Sequence, residues 1–261
     1  ERIVIMPGGK LTMRYAIACF AEPGAEIIYP DPGFPIYESM INYNGARAVP
    51  YNMTENKDFL INPKKILSLI NEKTRLLILN NPHNPTGGFT KKKIIDELAE
   101  GLKNFPHVVI LSDEIYDRLI FDKAEIPTFF NYPDLYDRII ILNGWSKTYA
   151  MTGWRLGWSV WPENLVQYVF KFCVNSHSCV NTPAQYGAIA ALDGPEDYLQ
   201  NMMEEFTARR KIIVDGLRSL KGVECSLPGG SFFVFPNVKD TGMNGQEFTK
   251  KCLNEAGVAM I

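Results

Sequence analysis

Three apolar runs in this 261-residue sequence stop abruptly at residues that can do chemistry. The run at 138–147, RIIILNGWSK, passes from the β-branched stretch Ile139 to Leu142 through Asn143 and Gly144 into a polar turn. That turn carries Lys147 among Trp145, Ser146 and Tyr149. LLILNNPHNPTGG at 76–88 ends in asparagines, and VVILSDEIYD at 108–117 ends in Asp113 and Glu114. A lysine amine that loses its proton when desolvated is both a nucleophile and a base. A carboxylate can hold a cation opposite it, and amides offer donors and acceptors together. Short apolar runs of this kind lie buried in parallel sheets, and open α/β sheets bind ligands just past the carboxyl ends of their strands. The three runs therefore deliver polar groups to one edge of one sheet.

The elements that must position them follow from periodicity. Strands are expected at 25–29, 46–51, 76–80, 108–112, 139–142 and 156–161, with a short one near 118–121. Helices are expected at 11–21, with Met13, Ile17 and Phe20 on one face, and at 36–43. Another is begun by Pro63 behind an Asn62 cap, and a fourth covers 91–104 behind a Thr90 cap, with Ile94, Ile95, Leu98 and Leu102 as its stripe. Further helices follow at 163–173 and 183–192, and Pro195 opens a long one to about Leu220. Alternating strand and helix predicts an α/β fold, a doubly wound and mainly parallel sheet. Beyond it the pattern changes to strands at 223–226 and 231–236 and a helix at 245–256, a smaller α+β unit. The expected domains are 1–198, large, and 199–261, small and C-terminal.

Composition narrows the partners. With 46% hydrophobic and 21% charged residues the chain can bury a core, and no apolar segment approaches a membrane span. A net charge of −2 gives no electrostatic reason to expect nucleic acid or an anionic membrane. Five cysteines without a C-x-x-C pair and three histidines argue against a disulfide framework or a metal site and for a reducing, cytoplasmic setting. Small metabolites are the expected partners. The chain opens on Glu1 rather than Met and stops on GVAMI, which reads as the start of a strand, so both ends look cut.

Gly8, Gly9 and Lys10 precede the first helix, and glycines at a helix start leave N–H groups free for a phosphate. A P-loop is excluded, because Lys10 is followed by Leu11 and no glycine stands five residues before Gly9. Taken in order, G-G-K, G-F-P-x-Y, N-P-x-N-P-T-G, S-D-E-I-Y, S-K-T-Y-A-M-T-G-W-R and P-G-G-S-F-F span essentially the whole chain. This series resembles the pyridoxal-phosphate-dependent class I/II aminotransferases of fold type I. The resemblance implies pyridoxal 5′-phosphate as cofactor. It puts Lys147 at the Schiff-base position, where the freed amine then serves as acid and base, Asp113 opposite the pyridine nitrogen, and Tyr116 and Asn84 on the ring's 3′-oxygen. It further implies Phe34 stacked on the ring, Gly8, Gly9 and Lys10 offering backbone N–H groups to the phosphate, Arg155 gripping it, and a cis Asn84–Pro85 bond.

One departure concerns the phosphate. The family often carries Ser or Thr three residues before the lysine, where this chain has Gly144, which leaves Ser146 as the hydroxyl able to compensate. The arginine that grips the substrate carboxylate is expected beyond residue 261. The activity implied is a ping-pong transfer of an amino group from an L-amino acid to a 2-oxo acid, in a homodimer. The alternative on the same scaffold is a β-lyase or decarboxylase, since the cofactor does the difficult chemistry and the pocket steers it. A non-enzymatic sensor would need a DNA-binding module, and neither a basic arm nor a recognition helix is present in the sequence.

Overall fold

The three central strands are buried along nearly their whole lengths. They are β4 (Thr74–Asn80), β5 (Val109–Asp113) and β6 (Ile139–Gly144), paired in parallel so that Asn80 stands beside Asp113 and Asp113 beside Leu142. The computed structural model describes residues 2–122, 124, 125 and 127–260. Glu1 and Ile261, the outermost residues of the two expected domains, lie outside the described residues.

Four strands complete a seven-stranded sheet. They are β1 (Ile3–Met6), β2 (Glu26–Asp31), β3 (Arg47–Asn52) and β7 (Gly157–Val160), in the order β1-β7-β6-β5-β4-β2-β3. The stretch from β3 to β6 is parallel throughout, while β7 runs antiparallel to both β6 and β1. Helices cover both faces, as a sheet buried on both sides requires. On one face α1 (Gly9–Phe20), α2 (Ile36–Tyr43) and α5 (Glu163–Ser176) pack Met13, Ile17, Tyr37, Ile41 and Val169 into one apolar cluster. On the other, α3 (Pro63–Leu69) and α4 (Lys92–Leu102) bury Ile66, Ile95, Leu98 and Leu102. After these come α6 (Thr182–Asp193), the long α7 (Asp197–Arg218) and α8 (Gly245–Ala256), which opens on a capping box formed by Asn244 and Glu247. Among the described residues no helix is long and apolar enough to cross a membrane.

The structure corrects four local expectations. Thr90 does not cap α4, whose N-cap is Lys91; its hydroxyl instead accepts from the Ile61 N–H at 3.0 Å. The Asn81 amide pairs with both backbone groups of Thr90, closing the asparagine-rich loop. No strand forms at 118–121, 223–226 or 231–236, where only single bridges join Ile120 to Gly230 and Glu224 to Asn237. The physical reason lies in where the backbone finds its partners. Gly229 and Gly230 donate to the Gly87 carbonyl, and Ser231 donates to that of Leu119, so the Pro-Gly-Gly segment docks on two loops instead of extending a ladder. That docking brings Phe232 and Phe233 against the ring of Tyr116.

Beside Asp113, the buried carboxylate of Glu114 accepts from the Ser112 hydroxyl at 2.8 Å and the Phe129 N–H at 3.0 Å. Burial pushes its pKa up to about 7 despite these bonds. The folded state therefore holds this proton more tightly than the unfolded chain does. Stability contributed by the group is full below the unfolded value of 4.5 and is lost as pH rises towards 7. Glu114→Gln keeps an acceptor and removes the charge. It is expected to flatten the decline in unfolding free energy between about pH 5 and pH 8 by roughly 3 kcal/mol. Urea titrations across that range check it.

Candidate active site

The carboxyl ends of β4, β5 and β6 open into one cavity of about 310 Å³, within the usual size of small-molecule sites of about 300–1,000 Å³. Of the residues singled out from the sequence, Gly9, Lys10, Phe34, Asn84, Asp113, Tyr116, Ser146, Lys147 and Arg155 all line it. Gly8 stands directly behind the Arg155 guanidinium. A wider surface cleft of about 620 Å³ beside Phe59, Phe235 and Met243 holds none of them.

Each member is positioned by its element. Asp113 is the last residue of β5 and is 2% exposed. One of its oxygens accepts from the Tyr37 hydroxyl at 2.6 Å and the other from the Ile115 N–H at 3.2 Å. The Asn80 amide donates to the Asp113 carbonyl and accepts from the Asn84 N–H, so one β4 side chain fixes both the carboxylate-bearing strand end and the asparagine loop. The Asn84–Pro85 bond is cis, as are Asp31–Pro32 and Asn81–Pro82. Lys147 lies just past β6, its ammonium 5.7 Å from the ring centre of Tyr116 and 5.2 Å from that of Phe232. Phe34 is half-buried, meets Tyr37 edge-on, and has the Lys10 ammonium 5.3 Å over its ring.

The electrostatics are those of a poised site. Burial lowers the pKa of Lys147; Asp113 pulls it back up, and Lys10 and Arg155 depress it further. Burial pushes Asp113 up to about 6 against the pull of Tyr37, the Ile115 N–H and Lys147. Tyr37 and Tyr116 are both held above the ordinary phenol range, first by burial and then by Asp113, so each keeps its proton as a donor; at Tyr116 the Asn84 side chain acts the other way. A slot with a carboxylate at one end and an amine held towards neutrality beside it can bind a cationic ring and form a covalent bond to a carbonyl.

Glycines build the other end. Gly8 is the N-cap of α1 at φ +86°, and a Cβ there would lie 2.3 Å from Arg155 Nη2. Gly144 and Gly157 are cross-strand partners, and a Cβ on Gly157 would strike the Gly9 nitrogen at 2.7 Å. This stack of bare backbones brings the start of α1 against β7 and β6, with Arg155 across from it. The charged side chains lining the cavity are Lys10, Lys147, Arg155 and Asp113, an excess of two positive charges. That balance, N–H groups at a helix start and a buried carboxylate without a hydrogen-bonded cation fit a flat heterocycle carrying a dianionic phosphate and a protonatable ring nitrogen.

At Gly144, where the family often carries Ser or Thr, the backbone of β7 packs too closely for a side chain. A Cβ there would meet Gly157 Cα at 2.8 Å and the Leu156 carbonyl at 3.0 Å, both backbone atoms. Gly144→Ser is expected to cost about 1–3 kcal/mol in stability through overpacking instead of adding a phosphate ligand. Denaturant unfolding with unchanged or weaker cofactor affinity would bear this out.

Sequence reasoning passed over Tyr37, Asn80, Thr152 and Phe233, which also line the cavity. Tyr37 was visible as the last letter of G-F-P-x-Y, and Asn80 as the first residue of the asparagine cluster. Their roles depend on the register of β4 with β5 and on the tilt of α2, which no local pattern carries.

Comparison with known proteins bears on the whole chain. The family model described as aminotransferase class I and II matches residues 1–261. The chain is 32% identical over 263 residues to the aspartate aminotransferase of Pyrococcus abyssi, covering all of this chain and 67% of that protein. It is 35% identical over 259 residues to the probable aspartate aminotransferase of Methanocaldococcus jannaschii, covering 97% of this chain and 66% of that protein. Among solved structures, the aspartate aminotransferase from Rhizobium meliloti superposes with a TM-score of 0.94 at 29% identity, covering all of this chain and 68% of that one. An aromatic aminotransferase from Pyrococcus horikoshii does so with 0.94 at 31%, covering all of this chain and 70% of that one. The chain thus spans about two thirds of the length of these curated relatives.

Proposed function

The chain belongs to the class I and II aminotransferases, and from that membership we propose that it carries the cofactor half of a pyridoxal-phosphate-dependent aminotransferase. The reaction proposed moves the amino group of an L-amino acid to a 2-oxo acid in two half-reactions. One observation carries the reading: Lys147 and Asp113 open on the same cavity, in which cations outnumber carboxylates.

Bound there, pyridoxal phosphate supplies an electron sink for negative charge at the substrate Cα. The residues of this chain do the rest. Lys147 would hold the cofactor through its amine, and its free amine would be placed to move a proton at the substrate Cα. Asp113 holds positive charge on the ring nitrogen, with its carboxylate turned by the Tyr37 hydroxyl. Asn84 and Tyr116 would offer donors to the ring's 3′-oxygen, and Phe34 would exclude water from one ring face. Arg155 grips the phosphate with its planar fork; the N–H groups of Gly8, Gly9 and Lys10 and the Ser146 hydroxyl complete the cup.

An acidic amino acid is the proposed donor. Relatives named aspartate aminotransferase support it, and so does Lys10, whose side-chain ammonium lies on the cavity wall clear of any ion pair among the described residues. We further propose a homodimer working in the cytoplasm. Exposed Tyr168, Phe170, Phe172 and Val174 on α5, and Tyr186, Ile189 and Leu192 on α6, support the association, and five free cysteines support the compartment. The deciding experiment loads the full-length protein with pyridoxal phosphate, reduces it with borohydride and maps the labelled peptide. Label on Lys147, together with amino transfer from aspartate to 2-oxoglutarate, is expected; label on another lysine would overturn the assignment.

A further inference from the structure

The lysine-bearing turn is held at both of its ends by one carboxylate that does not line the cavity. Asn143, 5% exposed, precedes the turn, and Thr148, 2% exposed, follows Lys147 directly. Asn143 Nδ2 donates to Asp117 Oδ2 at 2.8 Å, and Thr148 Oγ1 lies 3.5 Å from Asp117 Oδ1, at the long end of hydrogen bonding. The Asn143 amide has no freedom to turn over, because its oxygen accepts from the Gly144 N–H at 2.7 Å. Asp117 is itself anchored: its N–H donates to the Glu114 carbonyl, and it directly follows Tyr116. Along the chain, therefore, Tyr116 and Asp117 lie in the turn that follows Asp113 at the end of β5, and Lys147 and Thr148 lie in the turn that follows β6, which carries Asn143. The Asp117 carboxylate bonds the first turn to the Asn143 and Thr148 side chains of the second, and the neighbouring Arg118 side chain also reaches Tyr149.

We infer that Asp117 is a positioning residue that clamps the Lys147 turn to the Asp113–Tyr116 turn and thereby sets where the Lys147 amine stands in the cavity. The inference rests on the reading of Lys147 as the attachment residue. Two features make the clamp directional. A carboxylate is an acceptor through both oxygens, so it can serve an amide and a hydroxyl at once. Charge-assisted bonds are stronger than neutral ones, and here, where both bonds are part-buried, losing the carboxylate leaves the buried Asn143 and Thr148 groups unsatisfied. The turn's own backbone bonds, from the Tyr149 and Met151 N–H groups to the Trp145 carbonyl and from the Ala150 N–H to that of Lys147, shape it internally without tying it to β5.

The test uses the full-length protein loaded with pyridoxal phosphate. Asp117→Ala removes both ties. Asp117→Asn keeps an acceptor for Asn143 and offers a donor to Thr148, and Thr148→Val removes the weaker tie alone. Asp117→Ala is expected to lower kcat up to about 100-fold with little change in KM for the amino donor, the cost of a misplaced reactive group. It should also slow borohydride fixation of the cofactor at Lys147 and shift the pH midpoint of the bound cofactor's absorption. Asp117→Asn should recover most of each loss, and Thr148→Val should show a smaller loss of the same sign. A fall in melting temperature with kcat, fixation rate and pH midpoint all at wild-type values in Asp117→Ala and Thr148→Val would overturn the inference. Fixation on a residue other than Lys147 in the wild-type protein would instead sink the attachment reading itself, so the two failures are separable.

Discussion

Lys147→Ala is expected to lower amino transfer on the order of 10⁴-fold and to abolish borohydride-stable attachment of pyridoxal phosphate, while the protein still folds and retains affinity for the cofactor. Folding should survive because Lys147 is only half-buried and lies in a turn past the end of β6, with its ammonium near aromatic rings and in no ion pair among the described residues. Affinity should survive in part because Arg155, Gly8, Gly9, Asp113 and Phe34 are unaltered. Chemistry should not survive, because among the described residues no other lysine is placed both beside Asp113 and over the Tyr116 ring. Lys147→Arg separates charge from nucleophilicity: a guanidinium keeps the cation but cannot shed its proton near neutrality, so the arginine variant should be as inactive as the alanine one. Equal activity of Lys147→Arg and wild type would show that the residue serves only as a charge. Peptide mapping after reduction, cofactor titration and steady-state transfer assays measure the three parts of the expectation.

Much of this arrangement was legible in the sequence, and the reason is local. Parallel strands buried on both faces must be nearly continuous apolar runs, so Ile139–Gly144, Val109–Asp113 and Thr74–Asn80 announced themselves, and the polar residue ending each run had to stand at the sheet's edge. Helix α3 likewise carried its start in the Asn62 and Pro63 signal. What the sequence did not carry was contact between distant segments. Ser231 to Pro236 has the composition of a strand, yet Ser231 donates to the Leu119 carbonyl and Gly229 and Gly230 just before it to that of Gly87, about 110 to 145 residues away in sequence, and that docking turns an expected ladder into an aromatic wall behind Tyr116. Thr90 has a capping side chain, but the Ile61 N–H claims it. Nothing local to Gly144 shows that the backbone of β7 is pressed against it. Tyr37 illustrates the limit most sharply: a tyrosine in a helical pattern is ordinary core, and its hydroxyl matters only because α2 aims it at Asp113 across the face of the sheet.

Asp113→Asn should separate stability from activity, moving them in opposite directions. In the unloaded protein the carboxylate is buried, bonded to Tyr37 and the Ile115 N–H, and its pKa is pushed from 3.8 up to about 6. The folded state thus favours the protonated form. The stability this group contributes is full below the unfolded value, is lost as pH rises towards 6, and stays lost above it, a difference of roughly 3 kcal/mol. Asparagine removes that penalty while leaving one acceptor for Tyr37, and its second group faces the Ile115 N–H badly, at about 1–3 kcal/mol. The unloaded variant is therefore expected to melt at or above the wild-type temperature near pH 8, and to lose the decline in stability that wild type shows from about pH 4 to pH 6. With cofactor the order reverses. A bound ring nitrogen that carries a proton needs an anion opposite it, and an amide cannot supply one, so transfer should fall on the order of 10³-fold and loading should stabilise the variant less than the wild type. Calorimetry of loaded and unloaded protein at both ends of that pH range, alongside transfer rates, tests both halves. A variant less stable when unloaded near pH 8 yet fully active would mean that Asp113 is kept for the Tyr37 hydrogen bond and not for a charge in the cavity.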